Sequence, residues 1–186
     1  MTKNYLPKFD EEKAIAAASF LLSLSDNKCD KYWLNKVLYY IERQSLVLTG
    51  QPLFNDSLFS IEYGPIVSNI NDAIDNTAYP FETKWNEHFS LKGNTVRLIK
   101  EADYASLSEY EENLIKDIYY QFEGWGFTKL KNFFHSLPEH KDTTSRVDIE
   151  YEEILKNEGI DEESIEDALE TISYFNELTY SIASEK

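Results

Sequence analysis

Apolar residues recur three and four positions apart along most of the chain, a period that predicts helices rather than strands. In "FDEEKAIAAASFLLSLS", Ile15, Ala18, Leu21 and Leu22 share one face. Asp10 is placed to cap that helix, and Glu11 and Glu12 lie in its first turn, where the helix dipole favours negative charge. The pattern predicts a helix over residues 11–25, with "SDNKC" as the break. A second helix follows Asp30. Its stripe is Leu34, Val37, Leu38, Ile41 and Leu48, widened by Trp33, Tyr39 and Tyr40, and it stops at Thr49-Gly50. A helix apolar round so much of its circumference belongs at the centre of a fold.

The middle of the chain is mixed. Leu58 to Tyr63 is too short for a helix and reads as an extended piece. In "SIEYGPIVSNI", Gly64 suits a sharp reversal and Pro65 suits the first position of a helix. Ile66, Ile70 and Ile74 then recur at helical spacing, so the stretch predicts a strand-to-helix corner. "HFSLKGNTVRLIK" predicts a β-hairpin turning at Gly93-Asn94. Ser108 and Glu111 form a capping box for a helix carrying Leu114, Ile115, Ile118, Tyr119 and Phe122, ended by Gly124 to Gly126. Thr128 is the expected cap of a short helix that Pro138 ends. "TTSRVD" reads as a linker, followed by two helices. The last has Ile165, Leu169, Ile172, Phe175, Leu178 and Ile182 on one face. The fold class expected is mainly α with a small central β-hairpin or sheet, α+β.

The 186 residues suffice for one domain with a real core, and 42% are hydrophobic. The formal net charge is −16, concentrated towards the C-terminus: residues 139–186 carry four Lys/Arg against fifteen Asp/Glu. A nucleic-acid binder needs cations to displace phosphate counterions, so direct nucleic-acid binding is not expected. A partner with a basic surface fits the field better. No apolar run approaches the length needed to span a bilayer, and the first residues lack the apolar stretch of a secretory signal. A single cysteine, Cys29, excludes an intrachain disulfide. Together these predict a cytoplasmic protein.

Candidate chemistry is thin. His88, His135 and His140 are the only histidines, and none has metal-ligand spacing, since Pro138 separates the last two. Cys29 precedes a helix N-terminus, which could activate a thiol, but no histidine is placed beside it by sequence. The carboxylate pairs lie at helix starts, where capping explains them. No catalytic, cofactor or metal residues are expected, and the reading is not an enzyme. Tyr, Trp and Arg anchor interfaces, which makes Tyr39, Tyr40, Arg43, Tyr63 and Trp125 the candidate partner-binding residues. Tyr63, directly before the Gly-Pro corner, should be held stiffly, lowering the entropy cost of presenting it.

Several pieces in order resemble the Panacea domain, the SocA-like antitoxin family also described as phage-associated GepA-like. They are Lys36-Val37-Leu38-Tyr39-Tyr40, then Gly50-Gln51-Pro52-Leu53, then Tyr63-Gly64-Pro65-Ile66. Phe134-His135-Ser136 stands where the family has a Thr/Ser-His pair. The likeness spans roughly residues 12 to 140 and marks Lys36, Gly50, Pro52, Gly64, Pro65 and His135 as structural motif positions. It departs at Pro138-Glu139-His140-Lys141, where many relatives carry a Trp, and in the long acidic tail. The resemblance implies a Panacea-like antitoxin domain over 1–146 and an acidic helical extension over 147–186 packed on it. It implies the antitoxin of a prophage or bacterial toxin–antitoxin pair, whose partner is a cognate toxin encoded by an adjacent gene and bound directly. The alternatives are a proteolytic adaptor that hands a toxin to a cellular protease, and an acidic DNA-mimic inhibitor of phage origin.

Overall fold

The structure, a computed structural model, describes residues 8–77 and 83–184, with side chains to residue 177. Helix α1 (Glu11–Ser23) starts where Asp10 accepts the Lys13 N–H at 3.0 Å. Helix α2 (Lys31–Thr49) is capped by Asp30 and ends at Gly50, whose φ of 73° is the left-handed conformation that glycine adopts freely. Between them a three-residue strand, β1 (Lys28–Asp30), occupies what the sequence marks only as a break.

The Gly-Pro stretch differs from expectation. It is the second strand of a hairpin, β2 (Leu58–Ile61) with β3 (Gly64–Val67), and the turn lies at Glu62-Tyr63. Helix α3 (Ser68–Ile74) begins only at Ser68. Pro65 therefore sits in a strand rather than at a helix start, opposite Ser60, and Ile66 pairs with Phe59. Helical spacing misassigns Ile66 because a strand buried on both faces leaves no polar gaps to betray its period.

A four-residue helix, α4 (Trp85–His88), leads into the predicted hairpin, β4 (Phe89–Lys92) and β5 (Thr95–Leu98). Strand β1 pairs with β5, giving the order β1-β5-β4. Helix α5 (Glu109–Phe122) carries the predicted capping box at Ser108 and Glu111. Helix α6 (Phe127–His135) starts after Gly126, two residues earlier than a Thr128 cap implies. The "linker" holds a further strand, β6 (Val147–Ile149), which pairs with β2 in the order β3-β2-β6. Helices α7 (Tyr151–Asn157) and α8 (Glu162–Ser184) complete the chain. The architecture is mainly α with two three-stranded antiparallel sheets among the described residues.

Helix α2 is the hub, packed against α5, α6, α7 and β3. It buries Leu34, Val37, Leu38 and Ile41, while Leu48, placed in the stripe by its spacing, is 59% exposed near the helix end. On α8, Ile165 and Ile172 are buried and Leu169 is half-buried, but Phe175 is exposed. Leu178 and Ile182 lie outside the described side chains.

Helix α2 also buries charge. Glu42 is fully buried and accepts the N–H groups of Leu53 and Phe54 at 2.7 and 2.9 Å and of Asp56 at 2.9 Å. The Tyr151 hydroxyl lies 3.2 Å from Glu42 and 2.9 Å from the Asp56 carbonyl. Asp56, also fully buried, in turn accepts the Asn69 and Ile70 N–H groups at 2.8 and 3.0 Å. Those are orphan donors at the start of α3, whose own cap residue Val67 has no capping side chain. Burial pushes the Glu42 carboxyl up to about 7 and that of Asp56 up to about 6, and the N–H bonds offset part of that rise.

Glu42→Ala would leave three N–H groups facing a cavity and should cost about 3 kcal/mol or more, whereas Tyr151→Phe should cost about 1 kcal/mol. Urea denaturation measures both. We also expect the chain cut after residue 146 to lose cooperative unfolding, because the cut removes β6 from β2 and Tyr151 from Glu42. A sharp transition at the wild-type midpoint would refute that dependence.

Candidate functional site

Of the motif positions, Lys36, Gly64, Pro65 and His135 meet at the Gly64 hairpin, while Gly50 lies at the end of α2 against Ala168. Lys36, 1% exposed on α2, donates from Nζ to the Pro65 carbonyl at 2.6 Å. Gly64 has φ 95°, which a side-chain-bearing residue rarely adopts. A Cβ there would stand 3.3 Å from Phe134 Cβ and 3.4 Å from both His135 Cδ2 and Lys36 Nζ. Glycine is thus required twice, for its dihedral and for the close passage over α6. Pro65 lacks an N–H, and the carbonyl it keeps is the one Lys36 holds. Lys36 also lies over the Tyr32 ring, 5.1 Å from its centroid. Burial with no carboxylate beside it lowers the Lys36 amine to about 7.

This tie fixes the turn that carries Tyr63. The Tyr32 hydroxyl donates to the Tyr63 carbonyl at 2.9 Å. Phe127 stacks obliquely between them, with ring centroids 4.8 Å from Tyr32 and 6.3 Å from Tyr63, and Lys131 lies over Tyr63 at 5.6 Å. Tyr63 and Phe127 remain 45% and 53% exposed. Beside them runs a groove lined by Tyr32, Asn35, Ile61, Tyr63, Ile66 and Ile74. Asn35 donates from Nδ2 to the Val67 carbonyl, and its Oδ1 is buried without a hydrogen-bond partner.

The other sequence candidates sit elsewhere. Tyr39 is wholly buried, and Arg43 is 2% exposed, so neither reaches the surface as an interface anchor must. The Glu139 carboxylate explains both. It accepts from the Tyr39 hydroxyl at 2.8 Å and from Arg43 Nε at 2.7 Å, and Arg43 also reaches Glu158 at 2.5 Å. Those two carboxylates hold the Arg43 guanidinium above its ordinary value against the lowering effect of burial. Tyr40 is half-buried in a ring cluster with Phe122, Phe133 and Phe134. Trp125 packs on Phe122 and Phe133, with Lys129 over its ring at 3.7 Å. Phe127 was not among the candidates: at the first position of a helix, nothing in its spacing distinguishes an outward ring from a core one.

Spacing also separates His135 from His140, yet their rings lie 4.3 Å apart between centroids. The chain leaves α6 at Ser136 and turns back, closed by the His140 N–H to the Leu137 carbonyl at 3.0 Å. Both imidazoles are held below their ordinary values, chiefly by desolvation, with Lys131 adding to it at His135, the neighbouring His135 ring at His140, and Lys36 at both. Cys29 is not activated: burial, helped by Asp30, pushes its thiol up to about 12. No helix among the described residues is long and apolar enough to cross a membrane.

Comparison with known families gives a match. The model for antitoxin SocA-like proteins, Panacea domain, covers residues 34–141, more than half of the chain. No curated protein and no solved structure matches significantly. The matched span begins inside α2 and ends just after His140, so it encloses Lys36, Gly64, Pro65 and His135.

The stability difference between wild type and Lys36→Met should depend on pH. The folded amine is depressed to about 7 and the unfolded one titrates near its ordinary value, so the unfolded state binds more protons between them. Wild-type stability relative to the variant should therefore rise with pH above about 7, by up to about 1.4 kcal/mol per unit. The difference cancels the contributions of Glu42 and Asp56. A flat difference between pH 7 and 9 would mean that folded Lys36 keeps its proton.

Proposed function

We propose that this chain, which belongs to the SocA-like antitoxin family of Panacea-domain proteins, neutralises a toxin protein by binding it directly through the aromatic surface around Tyr63. The observation that carries the reading is the mounting of that residue. Its ring is exposed, while its backbone is held by Tyr32 and its turn by the Lys36 bond to Pro65. An exposed aromatic with little freedom left to lose is what a binding hot spot needs. Phe127 extends the patch, and the apolar groove beside it offers a partner side chain somewhere to enter.

The same features favour binding over catalysis. The buried charges of α2 are consumed by backbone groups and by Glu139 and Glu158, and Cys29 is a half-buried thiol pushed up to about 12. The toxin is encoded by an adjacent gene in this reading, and the exposed carboxylates of α7 and α8, among them Glu152, Glu162, Glu163 and Glu166, suit encounter with a basic protein surface.

Co-expression with each neighbouring open reading frame tests the proposal. Growth rescue together with a stoichiometric complex supports direct neutralisation, and rescue without a complex would support delivery to a protease instead. Tyr63→Ala and Phe127→Ala should each weaken the complex by about tenfold or more, while shifting folding stability by less than about 1 kcal/mol. Unchanged affinity in both variants would move the binding surface elsewhere.

A further inference from the structure

We infer that His135, His140 and Asp142 form a site for a transition-metal dication, of which Zn²⁺ is the best fit. The inference stands apart from toxin binding and would survive its failure.

The three side chains offer ligand atoms all within 4.8 Å of one another. Three atoms so spaced lie within about 2.8 Å of a common point, against zinc–ligand distances of about 2.0–2.2 Å. Closing the site therefore needs each ligand to move inward by less than about 1 Å. The Asp142 carboxylate already stands 3.6 Å from His140 Nε2 and 3.9 Å from His135 Nδ1. Its side chain is 96% exposed, so it is free to make that movement.

His140 is prepared in the way metal ligands usually are. His140 Nδ1 lies 3.3 Å from Ser60 Oγ, which fixes the ring and turns Nε2 towards Asp142. That Nε2 is buried and has no hydrogen-bond partner, and its side chain is only 3% exposed. His135 presents Nδ1 to Asp142, and its Nε2 is buried without a hydrogen bond. His140, with one nitrogen anchored and the other unsatisfied, is a ligand awaiting an ion. Ser60 is itself fully buried and takes the Lys141 N–H at 3.0 Å, so the support is rigid.

The site is also open to solvent. Glu62, Lys131, His135, Asp142, Thr143 and Thr144 line an open depression through which an ion can enter and water can complete the coordination. Two nitrogens and one carboxylate suit Zn²⁺ better than Ca²⁺ or Mg²⁺, which take oxygen. The bound ion would join the end of α6 to the turn that follows it, both of which already pack on the Gly64 hairpin.

Calorimetric titration of the full chain with ZnCl₂ tests the inference. The expected result is one Zn²⁺ per chain and a raised unfolding midpoint. Affinity should fall by about 100-fold in His140→Gln and by about tenfold in Asp142→Asn and Ser60→Ala. Equal affinity in wild type and Asp142→Asn, whose exposed position leaves folding untouched, would reduce the binding to surface carboxylates and overturn the site. So would the absence of saturable binding. Should His140→Gln fail to fold, ring-nitrogen NMR of the wild type decides: Zn²⁺ must shift His135 and His140 and leave His88 unmoved.

Discussion

A buried carboxylate with no cation beside it holds this fold together. Glu42 stands on the central helix and collects the backbone donors of Leu53, Phe54 and Asp56. A loop that must cross the interior carries polar groups that water cannot reach, and a single carboxylate satisfies three of them at once. Asp56, fixed in this way, supplies the missing cap of α3. The C-terminal segment then closes over the same carboxylate through Tyr151. The acidic tail is thus tied into the first half of the chain at a point that neither half could satisfy alone.

Helix α2 repeats that logic along its length. Asn35 holds Val67, Lys36 holds Pro65, Glu42 holds the 53–56 loop, and Arg43 binds Glu139 and Glu158. Each polar side chain reaches a different neighbour, so the helix fixes the placement of β3, the loop, the turn after α6 and the end of α7. Apolar packing supplies the bulk of the burial, but it is tolerant of sliding. Directional bonds from one rigid helix set the register, and breaking any of them strands a buried polar group.

The surface inherits this rigidity. Tyr63 projects from a two-residue turn whose far strand is pinned by Lys36 and whose near carbonyl is pinned by Tyr32. The His135–His140 pair is supported by the same hairpin, His135 against Gly64 and His140 through Ser60. One hairpin therefore carries an exposed aromatic and supports a pair of imidazoles.

The sequence by itself determined the helices with clean caps and stripes: α1 after Asp10, α2 between Asp30 and Gly50, α5 behind its capping box, and the hairpin at Gly93-Asn94. These features are local, and their physical causes lie within a few residues. It also carried the Lys36, Gly64, Pro65 and His135 positions as a family pattern, without their shared purpose. Tertiary structure decided the rest. Strands β1 and β6 are three residues each and exist only because distant partners supply their hydrogen bonds. Tyr39 and Arg43 look like interface anchors until Glu139, some hundred residues away, draws them inward. His135 and His140 are separated by a proline in sequence and joined by the turn that the proline permits. Whether a polar or aromatic side chain faces solvent, a partner or another buried group depends on what the rest of the chain brings to it, and that is a property of contacts between residues far apart in sequence.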